Sequence, residues 1–173
     1  MNVEVAPSLS RPLRQDGDVD FKRLNLTFAI CVNCLITFQR RVLMSDVKTT
    51  LAPMLSVRRG AKAVEFYKAA FAARELFLIE SDDGAVVAQL AVGASEFWVS
   101  DESPEHLNFS PESLNGATAR MVLVVENPDA SFQQALAAGA KQVWPVEDQP
   151  YGWRVGRVVD PFGHHWEIGK PLA

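Results

Sequence analysis

The 173-residue chain has only two cysteines, Cys31 and Cys34, both near its start. No disulfide framework can hold the body of the protein, and a reducing, cytoplasmic setting is expected. No apolar run reaches the roughly 20 residues a membrane-spanning helix needs. The most extended run, Leu24 to Phe38, covers 15 positions and is followed by Gln39-Arg40-Arg41 in place of a small-residue cleavage site, so a secretory signal is not expected. Positive charge is not in excess. The 17 Lys+Arg against 21 Asp+Glu give a net charge of −4, which argues against general affinity for nucleic-acid phosphates. A glycine-rich phosphate loop and a nucleophile elbow are both missing, and the body of the chain has no Cys/His dyad. What remains is a globular composition, 48% hydrophobic and 22% charged. The length suits one domain with a real core, or two small modules packed together, and is too short for a (β/α)8 barrel.

Residues 1–43 read differently from the rest. Pro7, Ser8, Ser10 and Pro12 resemble tail sequence, and the apolar run 24–38 is bracketed by Lys22-Arg23 and Arg40-Arg41. Nothing downstream requires this stretch. It is expected to be a disordered extension or a mis-assigned start, with Met44 as the true first residue and a domain over 44–173. The alternative is an interfacial or partner-docking helix over 24–38. Cys31-Val-Asn-Cys34 has the spacing of a redox or zinc pair, but no second Cys or His pair accompanies it, so it reads as two small apolar side chains.

From Leu51 onward the chain repeats itself. An apolar strand (51–57) leads to a helix (61–72) with Val64, Tyr67, Ala70 and Phe71 at helical spacing, and strands follow at 74–81, 85–92 and 95–100. Asp82-Asp83-Gly84 supplies a hairpin turn. The same order returns as a strand at 119–126, a helix at 128–138 and strands at 142–146, 154–159 and 165–169. Pro128-Asp129 suits a first helical turn, and Gly139 suits a stop. Each half, about 50–100 and 119–170, is thus βαβββ. One such unit leaves a sheet face uncovered, so two are expected to pair into an α+β domain whose mixed sheets curve around a cavity. The intervening 101–117 is rich in loop formers and is a candidate lid.

The paired βαβββ order, the helix text Ala63-Val64-Glu65-Phe66-Tyr67 with Phe71, the ending Ala137-Ala138-Gly139-Ala140 and the stretch Tyr151 to Glu167 resemble the vicinal-oxygen-chelate superfamily. Within it the resemblance is to the PhnB-like glyoxalase/bleomycin-resistance group. Asp160-Pro161-Phe162-Gly163-His164-His165-Trp166 is its most specific part, and Ala72 departs from it where relatives carry a helix-ending glycine. The resemblance implies a cavity that either chelates a divalent metal, with lyase or isomerase chemistry, or binds drugs and metabolites without one. It also implies a homodimer.

In the metal-dependent pattern the four ligands come from the first, fourth, fifth and eighth strands. Carried over, these positions fall at Ala52, within Trp98 to Ser100, at Arg120 and at Glu167. Only Glu167 is a ligand type, so no metal or other cofactor is expected there. Strand alternation turns Ala52, Met54, Ser56, Arg120, Val122, Val124, His165 and Glu167 to the cavity side. Arg120 and Glu167 then form the candidate catalytic pair, the guanidinium standing in for the cation and meeting an anionic or carbonyl-bearing ligand. The alternative is a buried pair that satisfies itself and excludes ligand. Candidate ligand-binding residues are Met54, Ser56, Trp98, Val122, Trp153, Arg154 and His165, with Phe97, Phe109 and Arg157 as further possibilities. An alternative metal site would use His165 and Glu167, with His106 as a third ligand. A small molecule is the expected partner, with no nucleic acid and, for the domain itself, no membrane.

Overall fold

Apolar periodicity repeats a strand, a helix and three strands, and the computed structural model, which describes residues 49–173, follows that order. The first module comprises β1 (Met54–Val57), α1 (Gly60–Phe71), β2 (Arg74–Glu80), β3 (Val86–Val92) and β4 (Ser95–Asp101). A 3-10 turn (Pro104–His106) and the short helix α2 (Pro111–Leu114) occupy the link. The second module comprises β5 (Arg120–Val124), α3 (Pro128–Ala137), β6 (Lys141–Gln149), β7 (Trp153–Val159) and β8 (His165–Pro171). Two four-stranded sheets result, ordered β1-β4-β3-β2 and β5-β8-β7-β6. In each the first strand lies parallel to the fourth and the remaining pairs are antiparallel. The fold is the expected α+β pair of βαβββ modules. The expectations for residues 1–43, the Cys31/Cys34 pair included, lie outside the described residues.

Local chemistry sets the element ends. Asn127 caps α3 by accepting from the Ala130 N–H at 3.1 Å, and Pro128 takes the first helical position, where a missing N–H costs nothing. Helix α1 ends at Ala72 in the left-handed conformation (φ 51°), where a Cβ costs about 1 kcal/mol that glycine would not. Pro145 is tolerated in β6 because that strand is a sheet edge, and the ladder shifts register on either side of the neighbouring Trp144.

The helix-side faces of both sheets share one core with the helices. Leu55, Val57, Val64, Tyr67, Phe71, Leu90 and Val99 come from the first module, and Phe132, Val158, Phe162, Trp166 and Ile168 from the second. Buried Asp160 ties the modules together. Its Oδ1 accepts the N–H groups of Phe162 and His164, both at 2.9 Å, closing the β7–β8 turn. Its Oδ2 accepts the Tyr67 hydroxyl at 2.8 Å and the Trp166 indole N–H at 3.0 Å. His164 Nε2 lies 3.0 Å from the Ser56 carbonyl on the unpaired edge of β1 and donates to it. Asp160 thus shapes its own turn and bridges the modules at once, and His164 bridges them as well.

The link is held by side-chain hydrogen bonds and ion pairs. Arg58 donates to Glu102 at 3.1 Å and to the Ser113 hydroxyl, and Arg59 pairs with Glu112 at 2.9 Å and lies over the Phe162 ring. Ser110 is fully buried, donates its N–H to Glu102 and caps α2. Hydrogen bonds from the Ser113 hydroxyl and the Ser110 N–H, with a smaller part from Arg58, hold the Glu102 carboxyl down at about 2. A depressed carboxyl stabilises the fold above its unfolded pKa, and that stabilisation is lost as pH falls from about 4.5 toward 2. Glu102→Gln is therefore expected to flatten the acid limb of the stability curve over that window, as read by urea unfolding at stepped pH. An unchanged slope would mean that Glu102 is not the group titrating there.

Candidate functional site

The side chains on β5 and β8 alternate between core and solvent. Register pairs Arg120 with His165, Val122 with Glu167 and Val124 with Gly169 on the open face, and sends Met121 and Leu123 inward beside Trp166 and Ile168. The β7–β8 hairpin sets Arg157 opposite Glu167. Glu167 Oε1 thereby receives two guanidiniums, from Arg120 Nη1 at 3.1 Å and from Arg157 Nη2 at 2.9 Å. The Arg157 guanidinium also stacks over the Trp144 ring at 4.1 Å. Their exposure differs: the Arg120 side chain is 57% exposed, Glu167 22% and Arg157 14%. Arg157 Nε and His165 Nδ1 are buried with no hydrogen-bond partner.

The first sheet also has an open face. Met54 and Ser56 of β1 stand beside Trp98 and Ser100 of β4, Gln89 of β3 follows, and Phe77 of β2 meets Trp98 edge-on at 6.0 Å. Among the described residues, no side chain of this face hydrogen-bonds, pairs or stacks with one on the open face of the second sheet. The candidate set therefore divides into an aromatic half (Met54, Ser56, Trp98) and a charged half (Arg120, Val122, His165, Glu167).

A groove of about 790 Å³ does run between the modules of one chain, lined by Leu51, Pro53, Phe97, Met121, Leu123 and Trp166 among others. Of the candidate ligand residues only Val122, and of the further possibilities only Phe97, reaches it. The expectation of a single cavity between the modules that gathers all the candidates is corrected: the shared core draws the helix-side faces together and leaves the open faces apart.

Two further assignments change. Arg154 lies on the helix-side row of β7, away from Glu167, where it pairs with Asp129 at 2.6 Å and Asp148 at 2.8 Å. Its donation to Asp129, at the start of α3, lowers that carboxyl's pKa. His106 is engaged on the 3-10 turn with the Ser103 hydroxyl at 2.7 Å, so it is no free third ligand. Trp153 keeps to the open-face row of β7, one pair beyond Val155 and Gly169. Sequence reasoning missed Trp144, whose strand alternation is broken at Pro145. The opposition of Arg157 and Glu167 was countable, because pairing outward from the Asp160–His164 turn joins 159 to 165, 158 to 166 and 157 to 167.

The model of the Glyoxalase/Bleomycin resistance protein/Dioxygenase superfamily matches residues 50–168. The chain belongs to this superfamily. Among relatives of this superfamily member, an uncharacterized protein of Mycobacterium tuberculosis (strain ATCC 25618 / H37Rv) is 40% identical over 131 residues, spanning 73% of this chain and 77% of that protein. The X-ray structure of a gene product from Arabidopsis thaliana is 31% identical with a TM-score of 0.59, covering 72% of this chain and all of the other. The crystal structure of TioX from Micromonospora sp. ML1 is 26% identical with a TM-score of 0.55 over the same shares.

For this glyoxalase-superfamily chain, the donor set can be tested against the metal that the resemblance implies. Ala52 offers no donor, Trp98, Val99 and Ser100 include no imidazole or carboxylate, and Arg120 brings a positive charge instead of a lone pair. Glu167 Oε1 already carries two guanidiniums. Among the described residues, no three His, Cys, Asp or Glu side chains converge as metal ligands do. The residues do not fit a glyoxalase-type centre. No helix among the described residues is long and apolar enough to cross a membrane.

Proposed function

We propose that this chain is a small-molecule-binding member of the glyoxalase/bleomycin-resistance superfamily, of the PhnB-like group and cytoplasmic, in which a guanidinium cluster replaces the metal centre. The single observation that carries this reading is the capture of Glu167 Oε1 by Arg120 at 3.1 Å and Arg157 at 2.9 Å, at the one family ligand position that keeps a ligand residue. Arg120 and Glu167, the candidate catalytic pair, then act as binding groups. Two copies of the chain are needed. Met54 (56% exposed) and Phe77 (42%) on one open face, and Val122 (60%) and Val124 (57%) on the other, are large apolar side chains left to solvent. A homodimer that sets the aromatic face of one protomer over the charged face of its partner covers them and joins both halves of the site. Neither nucleic acid nor, for the domain itself, a membrane suits this acidic sequence.

The test is ligand-observed NMR with a fragment set on the full chain in EDTA. Binders are expected to persist in the chelator and to weaken about tenfold in Arg120→Ala, the loss of one charge-assisted contact. Affinity unaffected by Arg120→Ala would overturn the role of the cluster. A second reading, a metal-dependent lyase or isomerase using His165 and Glu167, is favoured by one observation, the unpartnered buried Nδ1 of His165. It predicts that binding is lost in EDTA.

A further inference from the structure

The cluster also selects the charge of its ligand. This inference rests on the reading of the open face as the binding site. On that face Arg120 and Arg157 contribute two permanent positive charges and Glu167 one negative. Lys141 and Glu147, on the same row of β6, cancel in the count. One formal positive charge is left over, and it is not spread evenly. Arg157 is sandwiched between Glu167 and Trp144, with little exposure and an unpaired Nε. Arg120 is more than half exposed with Glu167 as its one ion-pair partner, so several of its five N–H groups remain free. Val122 and Val124 extend the surface on one side of this charge, and the Trp144 ring on the other.

The geometry points to a flat, largely apolar monoanion as the ligand, its carboxylate bound by Arg120 and steered by Arg157, its body laid over Val122 and Val124. Glu167 has a selective role. By taking one oxygen's worth of both guanidiniums it limits the excess to a single charge, which matches a carboxylate and leaves a phosphate dianion under-neutralised and repelled by the Glu167 carboxylate. A neutral molecule of the same shape keeps the apolar contacts and forgoes the charge-assisted ones.

Three probes of one shape separate these cases: 2-naphthoate, 2-naphthamide and 2-naphthyl phosphate, titrated calorimetrically into the full chain at fixed ionic strength. The naphthoate is expected to bind about tenfold tighter than both the amide and the phosphate. Arg120→Gln and Arg157→Gln should each weaken the naphthoate more than the amide and so erase most of its advantage. Glu167→Gln should bring the phosphate level with the naphthoate or ahead of it, a relative gain of about tenfold or more, since the cluster then carries two uncompensated charges. Equal binding of naphthoate and amide would overturn the charge selection and leave the small-molecule site standing. A phosphate that outranks the naphthoate in the unmodified chain would overturn the role given to Glu167. No binding of any probe would overturn both this inference and the site on which it rests.

Discussion

Asp160→Ala is expected to destabilise the domain by about 3–5 kcal/mol, because four donors lose their acceptor at once and two of them cannot reach water. Tyr67, whose hydroxyl bonds Asp160 at 2.8 Å, is fully buried, and Trp166 is nearly so. Burial first, and the neighbouring Asp160 carboxylate second, hold the Tyr67 hydroxyl well above its usual pKa, so it remains a donor at every working pH. The Phe162 and His164 N–H groups lose the side chain that shapes the β7–β8 turn, the same turn that brings Arg157 opposite Glu167. For a domain of this size the loss corresponds to a fall in Tm of about 10–20 °C. Asp160→Asn keeps an acceptor for the two turn N–H groups but sets an amide donor against the Trp166 N–H, and should cost about half as much. Thermal and urea unfolding of both variants measure the difference. A loss below about 1 kcal/mol for the alanine variant would mean that the modules are not held through this carboxylate.

The second large effect concerns the pair that organises the site. Glu167→Ala removes the carboxylate from a guanidinium only 14% exposed, and is expected to cost about 1–3 kcal/mol of stability at neutral pH. Arg157→Ala removes the packing on Trp144 along with the charge and should fall in the same range. The informative quantity is the double variant. Two groups 2.9 Å apart and shielded from solvent form a unit, so the combined loss should fall short of the sum by about 1 kcal/mol or more. The Arg120–Glu167 contact, with Arg120 open to water, should show a smaller coupling that fades with salt. Strict additivity for Arg157 and Glu167 would show that they are neighbours without being partners.

Much of the fold was legible because it rests on local signals. The helices carry one buried face each, Gly84 and Gly139 sit at positive φ where turn and stop were read, and strand alternation in β5 and β8 put Arg120 and Glu167 on one face. The Arg120–Glu167 contact followed from that alternation. What local signals could not convey was which faces the modules present to each other. Tyr67 reaches Asp160 across 93 positions and His164 reaches Ser56 across 108, and contacts so remote in sequence leave no period to read. The helix-side faces were drawn together in consequence, and a set of candidates expected in one cavity was divided between two. Arg154 was misjudged by one position of alternation, and Trp144 was hidden by the irregular pairing around Pro145.

The central claim is that Arg120 and Arg157 occupy Glu167 in place of a metal. The most direct test is the divalent-metal content per subunit of the purified full chain, before and after dialysis against manganese, nickel and zinc, with His165→Ala and Glu167→Ala measured alongside. The expected result is far less than one equivalent under every condition, with neither substitution changing the value. Close to one metal per subunit, lost in either variant, would contradict it and establish a His165/Glu167 metal centre in this domain.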